Sequence, residues 1–176
     1  MRAALLPFLA LPLAVLATGP ARAVTLCKPT ERAFFSCSTG HRIASICGMA
    51  DGTSLQYRYG TPAKLDIAYP AEGIPAANVF FGGEWMFSGG GGAWLRATRG
   101  AYSYTVLSAI GRWGKNGEGM TTAGIVVTKD GHDIADIRCA APETPPLNTE
   151  VFGRYGIKTA APGSDMFEIP DALLPK

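Results

Sequence analysis

Apolar and polar residues alternate with a period of two along most of the chain between residues 32 and 139. This period is typical of β-strands, in which successive side chains point to opposite faces of a sheet. The clearest alternating runs cover residues 43–47, 55–59, 65–69, 102–110, 124–128 and 134–139. Clusters of glycine and proline separate the runs, and Asp130-Gly131 between the last two predicts a two-residue hairpin turn.

No stretch carries a convincing apolar stripe at the 3.6-residue spacing of an amphipathic helix. We therefore predict an all-β fold, a small antiparallel barrel or sandwich of about eight short strands in mostly meandering order. A closed barrel is favoured because closure removes the exposed strand edges that invite aggregation. This β-domain is predicted to span residues 24–140.

Residues 1–23 have the features of a secretory signal peptide. Arg2 supplies a positive charge, residues 3–17 are apolar apart from two prolines, and Ala21-Arg22-Ala23 fits the small-x-small pattern before a cleavage site. The apolar run is short for a membrane span, which needs about 20 residues. We predict a mature chain that starts at Val24, has no membrane span and is periplasmic or secreted. The alternatives are a retained N-terminal anchor and lipidation of Cys27.

Composition changes after residue 140. Residues 141–176 contain six prolines, and Pro145-Pro146 is incompatible with a helix interior or a central strand. This segment is predicted to be a Pro-rich tail, flexible or loosely docked. Its apolar residues are expected to pack onto the β-domain where they can; these are Val151, Phe152, Tyr155 and Ile157.

The charge balance argues against nucleic acid as a partner. Removal of Arg2 and Arg22 with the signal peptide leaves equal numbers of basic and acidic residues in the mature chain. Binding to phosphate needs an excess of lysine and arginine gathered on one face. The expected partner is therefore a protein or a cell-envelope component, and no cofactor is implied.

The mature chain has four cysteines: Cys27, Cys37, Cys47 and Cys139. No Cys-x-x-Cys pair exists, so a metal site is not predicted and two disulfides are expected in an oxidising compartment. Three pairings are possible. A tight hairpin around residues 38–41 would carry Cys47 several residues beyond the position opposite Cys37, too far for a bridge between them. We favour Cys27–Cys47 with Cys37–Cys139, which would tie the first strand to the last.

The most unusual segment is glycine-rich and flanked by aromatic and basic residues. A run of four glycines suggests a loop that needs unusual dihedral angles or lets a partner approach the backbone closely. The hypothesis is a recognition loop, and its candidate binding residues are Ser88, Gly89, Gly90, Gly91, Gly92, Trp94 and Arg96. The alternative is a plain hairpin loop in which Trp85 and Trp94 belong to the core. A phosphate loop is excluded because no Gly-Lys-Ser/Thr ending follows.

The sequence supports a catalytic site less well than a binding site. Ser88 with His132 and Asp133 would require His132 and Asp133, strand neighbours, to point to the same face. Glu84 could form a glycosidase-like carboxylate pair with Asp66, Glu72 or Glu118, but such pairs occur in any acidic β-protein. The polar loop at residues 112–119 either widens a recognition surface beside the glycine run or is only a long hairpin turn, and we favour the turn.

Several stretches resemble a group of small exported, uncharacterised proteobacterial β-proteins. The stretches that carry this resemblance are residues 27–31, 35–37, 43–47, 55–60, 87–96 and 102–104. The resemblance covers about residues 27–139 and implies no function.

A second resemblance is to periplasmic lysozyme inhibitors, small disulfide-bearing β-barrels that insert a Ser-Gly-x-x-Tyr loop into the lysozyme cleft. Ser88-Gly89 matches the start of that loop, whereas the aromatic residue, Trp94, stands two positions late and replaces tyrosine. The resemblance implies that Ser88 would bond to catalytic carboxylates while the glycines let the backbone enter the cleft.

These observations favour a non-enzymatic, exported binding protein that acts through the glycine-rich loop. Its sharpest version is a periplasmic inhibitor of a cell-wall hydrolase. The alternatives are an enzyme that acts on envelope polysaccharide through carboxylates, and a structural envelope protein with no discrete site.

Overall fold

The computed structural model describes residues 24–140, 145–161 and 167–176, and within them ten strands form two β-sheets. The all-β prediction is confirmed; the predicted signal peptide, residues 1–23, lies outside the described residues. The strands are β1 Glu31–Ser38, β2 Ile43–Met49, β3 Leu55–Thr61, β4 Lys64–Tyr69, β5 Phe80–Phe87, β6 Gly90–Arg99, β7 Tyr102–Gly111, β8 Met120–Lys129, β9 His132–Arg138 and β10 Lys158–Thr159. One short helix, α1 Glu150–Arg154, and two single turns of 3₁₀ helix, Ala76–Asn78 and Asp171–Leu173, complete the described elements.

Strands β1–β4 and strands β5–β9 each form an antiparallel meander. The first sheet has the order β1-β2-β3-β4, and the second has the order β10-β5-β6-β7-β8-β9, in which all pairs are antiparallel except β10 with β5. The predicted hairpin turn at Asp130-Gly131 is confirmed, since both residues have the positive φ that such a turn requires. The two sheets face each other across one core, so the fold is the sandwich form of the prediction and not the closed barrel that was favoured.

The core between the sheets follows from the alternation in the sequence. In β3, Leu55 and Tyr57 point inward, and Tyr57 stacks on Tyr104 of β7 with ring centroids 5.3 Å apart. The inward residues of the six-stranded sheet include Leu95, Val106 and Ile125, all at most 1% exposed. Each sheet thus buries one apolar face against the other, as aligned sandwiches do.

The opposite, outer face of the six-stranded sheet has a second apolar cluster. Trp85, Trp94, Leu107 and Val126 point to this face and are covered by the last described segment, with Leu173 fully buried. Trp85 Nε1 donates a hydrogen bond to the carbonyl oxygen of Phe167 at 2.7 Å. The six-stranded sheet is therefore buried on both faces along its centre.

Much of the Pro-rich tail belongs to this core. The predicted packing is confirmed, because Val151, Phe152, Tyr155 and Ile157 are all less than 9% exposed. The core clusters contain residues from both sides of the boundary predicted at residue 140, and residues 141–144 and 162–166 lie outside the described part. Residues 145–148 also cover the edge of β1, since Ser36 N donates to Pro145 O and Asn148 N to Phe34 O.

The favoured disulfide pairing is confirmed. Cys27 bonds to Cys47 and Cys37 to Cys139, with Cα–Cα distances of 5.2 and 5.5 Å. The hairpin argument holds because β1 and β2 place Cys37 opposite Ala44, away from Cys47. The second bridge links the four-stranded sheet to the end of β9 in the six-stranded sheet.

A buried polar network lies on the outer face of the four-stranded sheet. Arg58 forms a bidentate ion pair with Glu31, at 2.6 and 2.7 Å, and donates its remaining N–H groups to Gln56 Oε1 and Leu26 O. All five guanidinium N–H groups are therefore occupied. The network anchors the segment that precedes β1, which the Cys27–Cys47 bridge also holds.

Candidate functional site

The glycine run is not the loop that the sequence suggested. The connection between β5 and β6 consists of Ser88 and Gly89 alone, with Gly89 at φ +79°, while Gly90, Gly91 and Gly92 lie inside β6. A Cβ atom on Gly90 would clash with the carbonyl oxygen of Ile110, and one on Gly92 would clash with the carbonyl oxygen of Ser108. The glycines are thus required by close contacts within the sheet, and the recognition-loop hypothesis is wrong in its geometry.

Trp94 is in the core, as the alternative hypothesis had it. It is 1% exposed, and its indole ring lies against Gly83, in the space that a Cβ atom at that position would take. A side chain so deeply buried cannot touch a partner, so its assignment as a recognition residue is corrected.

Arg96 shares the outer face with Trp94. Its guanidinium lies 5.2 Å from the Trp94 ring and 5.4 Å from the Phe167 ring, and its Nε donates to Thr105 Oγ1 at 3.1 Å. Burial lowers the pKa of Arg96, and the charge of Asp133 opposes that shift. These contacts indicate that Arg96 holds the C-terminal segment onto the sheet.

The predicted binding residues therefore lie on different parts of the six-stranded sheet. Ser88 and Gly89 are exposed at the hairpin turn, Gly91 and Gly92 line a groove on the inner face, and Trp94 and Arg96 belong to the outer face. Odd and even positions of β6 face opposite ways, so the Gly91 surface and the Trp94 and Arg96 side chains lie on opposite faces of the sheet and cannot form one site.

A groove of about 510 Å³ lies where the inner face of the six-stranded sheet extends beyond the four-stranded sheet. We call it the inner groove. Two cross-strand rows form its floor, Met86–Gly91–Ile110–Thr121 and Glu84–Ala93–Ser108. Pro146, Leu147 and Thr149 form one wall. The small residues of β6 make a trough along that strand, between larger side chains of β5 and β7.

The inner groove is apolar and open to solvent. Met86 is 91% exposed and Ile110 51% exposed, although both occupy positions that face inward by the alternation of their strands. Glu84 is exposed on the same face and has no ion pair within the described residues. Exposed apolar side chains gathered around a groove are a feature of binding surfaces.

A second, smaller groove of about 260 Å³ lies on the outer face beside the same hairpin; its lining residues are Trp85, Phe87, Trp113, Glu168, Ile169 and Leu174. We call it the outer groove. The rings of Phe87 and Trp113 are 5.8 Å apart, and a Cβ on Gly89 would touch Arg112. The loop at residues 112–119 thus lies against the β5–β6 turn, which the long-turn interpretation alone did not anticipate.

The catalytic candidates are not brought together. Ser88 follows β5 and His132 opens β9, which places them at opposite ends of the six-stranded sheet. Of the carboxylates considered with Glu84, Asp66 pairs with Arg42 and Glu72 pairs with Lys28. Glu118 accepts hydrogen bonds from Asn116, and these hold its pKa below the ordinary value. Among the described residues that line the inner groove, Glu84 is the one carboxylate.

Two further cavities are less informative. One, of about 510 Å³, lies beside the Arg58 network, whose donors are already satisfied. The other, of about 620 Å³, lies between the end of β9 and the last residues of the chain, where Arg138 donates to Ala172 O and Leu174 O. In both cavities, the arginine side chain is already hydrogen-bonded to a segment near one end of the described chain.

Across the described ranges, no three or more His, Cys, Asp or Glu side chains are gathered as a metal site would require. The same ranges contain no helix with the length and apolar character needed to cross a membrane. Comparison with known proteins finds no matching family model, no matching curated protein and no matching solved structure.

Proposed function

We propose that this chain is an exported, non-enzymatic binding protein that holds an apolar segment of a protein partner in the inner groove. The observation that carries the proposal is the exposure of Met86, at 91%, on the same face of β5 whose first residue, Phe80, is buried in the core. With Ile110 it flanks a floor of Gly91 and Ala93. Burial of two such side chains by a partner would contribute about 1.5–3 kcal/mol each.

The floor of the inner groove is formed by paired strands, which favours binding. The centre of this floor consists of β6 and β7, which are paired on both sides, and the apolar cluster on the outer face of the same sheet lies behind it. A surface that is ordered before binding loses little conformational entropy when the partner arrives. Because Gly91 has no side chain, the partner backbone can approach the sheet closely.

The charge of the site favours a partner with a basic residue next to its apolar side chains. Glu84 lies in the inner groove, and Glu168 lies in the outer groove on the other face of the hairpin. A lysine or arginine on the partner would gain a charge-assisted hydrogen bond from Glu84 and would help to select the partner.

A cell-wall hydrolase is the partner that we propose first. Ser88 and Gly89 form the exposed turn of the β5–β6 hairpin, and the inner groove begins at the adjoining residues Met86 and Gly91. In this version the turn would meet the rim of the hydrolase cleft while Met86 and Ile110 bury against its surface.

The test compares surface variants of the mature chain. We expect the wild-type protein, at micromolar concentration, to slow cell-wall clearing by at least one structural class of lysozyme. Met86→Lys and Ile110→Lys should each remove that effect, because either puts a charge into the apolar contact. The matched control is Ile134→Lys, since Ile134 is 56% exposed on β9, at the far edge of the same sheet.

Two results would count against the proposal. Unchanged clearing with every lysozyme class would remove the hydrolase version. The wider proposal would fall if proteins captured from an envelope extract were retained equally by the wild type, Met86→Lys, Ile110→Lys and Ile134→Lys.

A further inference from the structure

The β5 edge beside the two grooves has main-chain groups that face outward. In the described part of the chain, β10 pairs with Phe81 and Gly82, and no strand continues beside residues 83–87. Ala160 N donates to Gly82 O, so the main chain of Gly82 faces this edge. The antiparallel pattern alternates, and therefore the N–H and C=O groups of Glu84 and Met86 face the same way.

Among the residues that the structure describes, the other sheet edges carry covers or charges, whereas no described strand lies beside residues 83–87. The edge of β1 is covered by main-chain hydrogen bonds to residues 145–148, and β4 carries Lys64 and Asp66. The edge strand β9 is dense in ionisable side chains: His132, Asp133, Asp136 and Arg138. Charges and covers of this kind prevent strands from adding to a sheet. Along residues 83–87, Glu84 is the one charged side chain.

The two faces of this edge are each lined by a groove. Glu84 and Met86 point into the inner groove, while Trp85 and Phe87 border the outer groove. A strand added beside β5 would place its own side chains alternately on these two faces. Both faces offer apolar contact, and the inner face also offers a carboxylate.

We propose that an extended segment of the partner protein adds to the six-stranded sheet beside residues 83–87, with apolar side chains on both faces and a lysine or arginine opposite Glu84. This inference rests on the proposed function and specifies how the partner is held. Main-chain hydrogen bonds to Glu84 and Met86 supply the alignment, and the two grooves and Glu84 supply the selectivity.

Short synthetic peptides provide the test. The probe is an extended peptide in which one lysine precedes three β-branched apolar residues, and its binding to the mature protein is measured by calorimetry. Two versions are N-methylated, one on each alternate set of residues. A strand presents successive N–H groups to opposite sides, so only one set can bond to β5. We expect that set to weaken binding about tenfold and the other to leave it nearly unchanged.

A second readout concerns the protein itself. Bound peptide should slow amide hydrogen exchange at Glu84 and Met86, the residues whose N–H groups would gain a partner. Glu84→Lys should weaken the lysine-containing peptide, whereas Asp136→Lys on the opposite edge should not. A peptide with the lysine replaced by serine should lose this dependence on Glu84.

The outcomes separate this inference from the proposed function. If the two methylation patterns weaken binding equally, strand addition is wrong. It is also wrong if no peptide binds while Met86→Lys still abolishes partner binding. In both cases the proposed binding function still stands. If Met86→Lys and Ile110→Lys leave partner binding unchanged, both the proposed function and strand addition are wrong.

Discussion

At the scale of single residues, glycines have different roles according to their surroundings. Gly89 allows a turn with positive φ, whereas Gly90 and Gly92 allow three strands to lie close together. Gly119 has no atom within 4 Å of the position that its Cβ would take. The usual preference of a strand for alanine over glycine therefore applies only where space permits.

We expect Gly92→Ala to destabilise the fold by about 1–3 kcal/mol, since the added methyl group meets backbone atoms that cannot move away. Gly119→Ala, in the open loop, should change stability by less than about 0.5 kcal/mol. Urea denaturation of both variants measures the difference. Equal stabilities would show that the sheet adjusts to the methyl group.

A second residue-scale contrast concerns ion pairs. The side chains of Arg58 and Glu31 are 3% and 6% exposed, while those of Arg42 and Asp66 are 44% and 32% exposed. Burial acts to raise the pKa of Glu31, but the hydrogen bonds and charges of Arg58 and Lys28 outweigh it and hold the pKa below its ordinary value of 4.5. Its ionised form is therefore favoured by folding.

Glu31→Gln should cost about 3 kcal/mol near neutral pH, because it leaves the buried Arg58 charge without its partner. A lowered carboxyl pKa contributes stability above the unfolded-state pKa and loses it as the pH falls through the folded-state pKa. The wild type should thus lose stability below about pH 4.5. Glu31→Gln should lose less over the same interval, and the control Asp66→Asn should follow the wild-type pH profile. Thermal unfolding against pH would contradict this if the three profiles were parallel.

At the scale of elements, alternation predicted most strands because alternate side chains face core and solvent. The Asp130-Gly131 hairpin and the disulfide pairing followed from local rules of the same kind. β5 and β6 were not among the predicted alternating runs, and in the first part of β6 no alternation can be seen because Gly90, Gly91 and Gly92 have no side chains. The need for those glycines depends on β5 and β7, which lie elsewhere in the sequence.

The candidate site was harder to predict than the strands. Ser88, Gly89, Gly91 and Gly92 are indeed at or near the grooves, but Met86 and Ile110 gave no signal, because both fit the pattern of core residues. Whether such a residue is buried depends on how far the second sheet extends over it. That extent is set by packing between distant segments, which no local pattern encodes.

The C-terminal segment is an element whose contribution can be measured. Leu173 is fully buried in the outer-face cluster to which Trp85, Trp94 and Val126 also belong. Leu173→Ala should cost about 2–5 kcal/mol through the cavity that it leaves, and should shift tryptophan fluorescence to longer wavelength. Leu65→Ala is the control, since Leu65 is 43% exposed. A segment that contributes nothing would leave both variants equally stable.

At the scale of the whole molecule, a shared core and one disulfide hold the two sheets together. The Cys37–Cys139 bridge spans 102 residues and connects the sheets, whereas Cys27–Cys47 spans 20 residues and fastens the segment before β1. A longer loop confines the unfolded chain more strongly.

Replacing Cys37 and Cys139 by serine should therefore cost about 4–5 kcal/mol, against about 3 kcal/mol for Cys27 and Cys47. Denaturant titration of the two double variants under oxidising conditions tests the order. The reverse order would mean that the anchored segment, with its Arg58 network, matters more than the connection between sheets.

The cover over the edge of β1 has a consequence for the order of assembly. Residues 145–148 can reach Phe34 and Ser36 only after β5 to β9 have been synthesised, and Cys139, which follows β9, can reach Cys37 only shortly before that. Until then the first four strands expose both an apolar face and a bare edge. Contacts so distant in sequence form slowly, and a newly emerging chain is most prone to aggregate during that interval. A holdase chaperone that shields the N-terminal half should therefore raise the yield of native protein more than one acting on the completed chain.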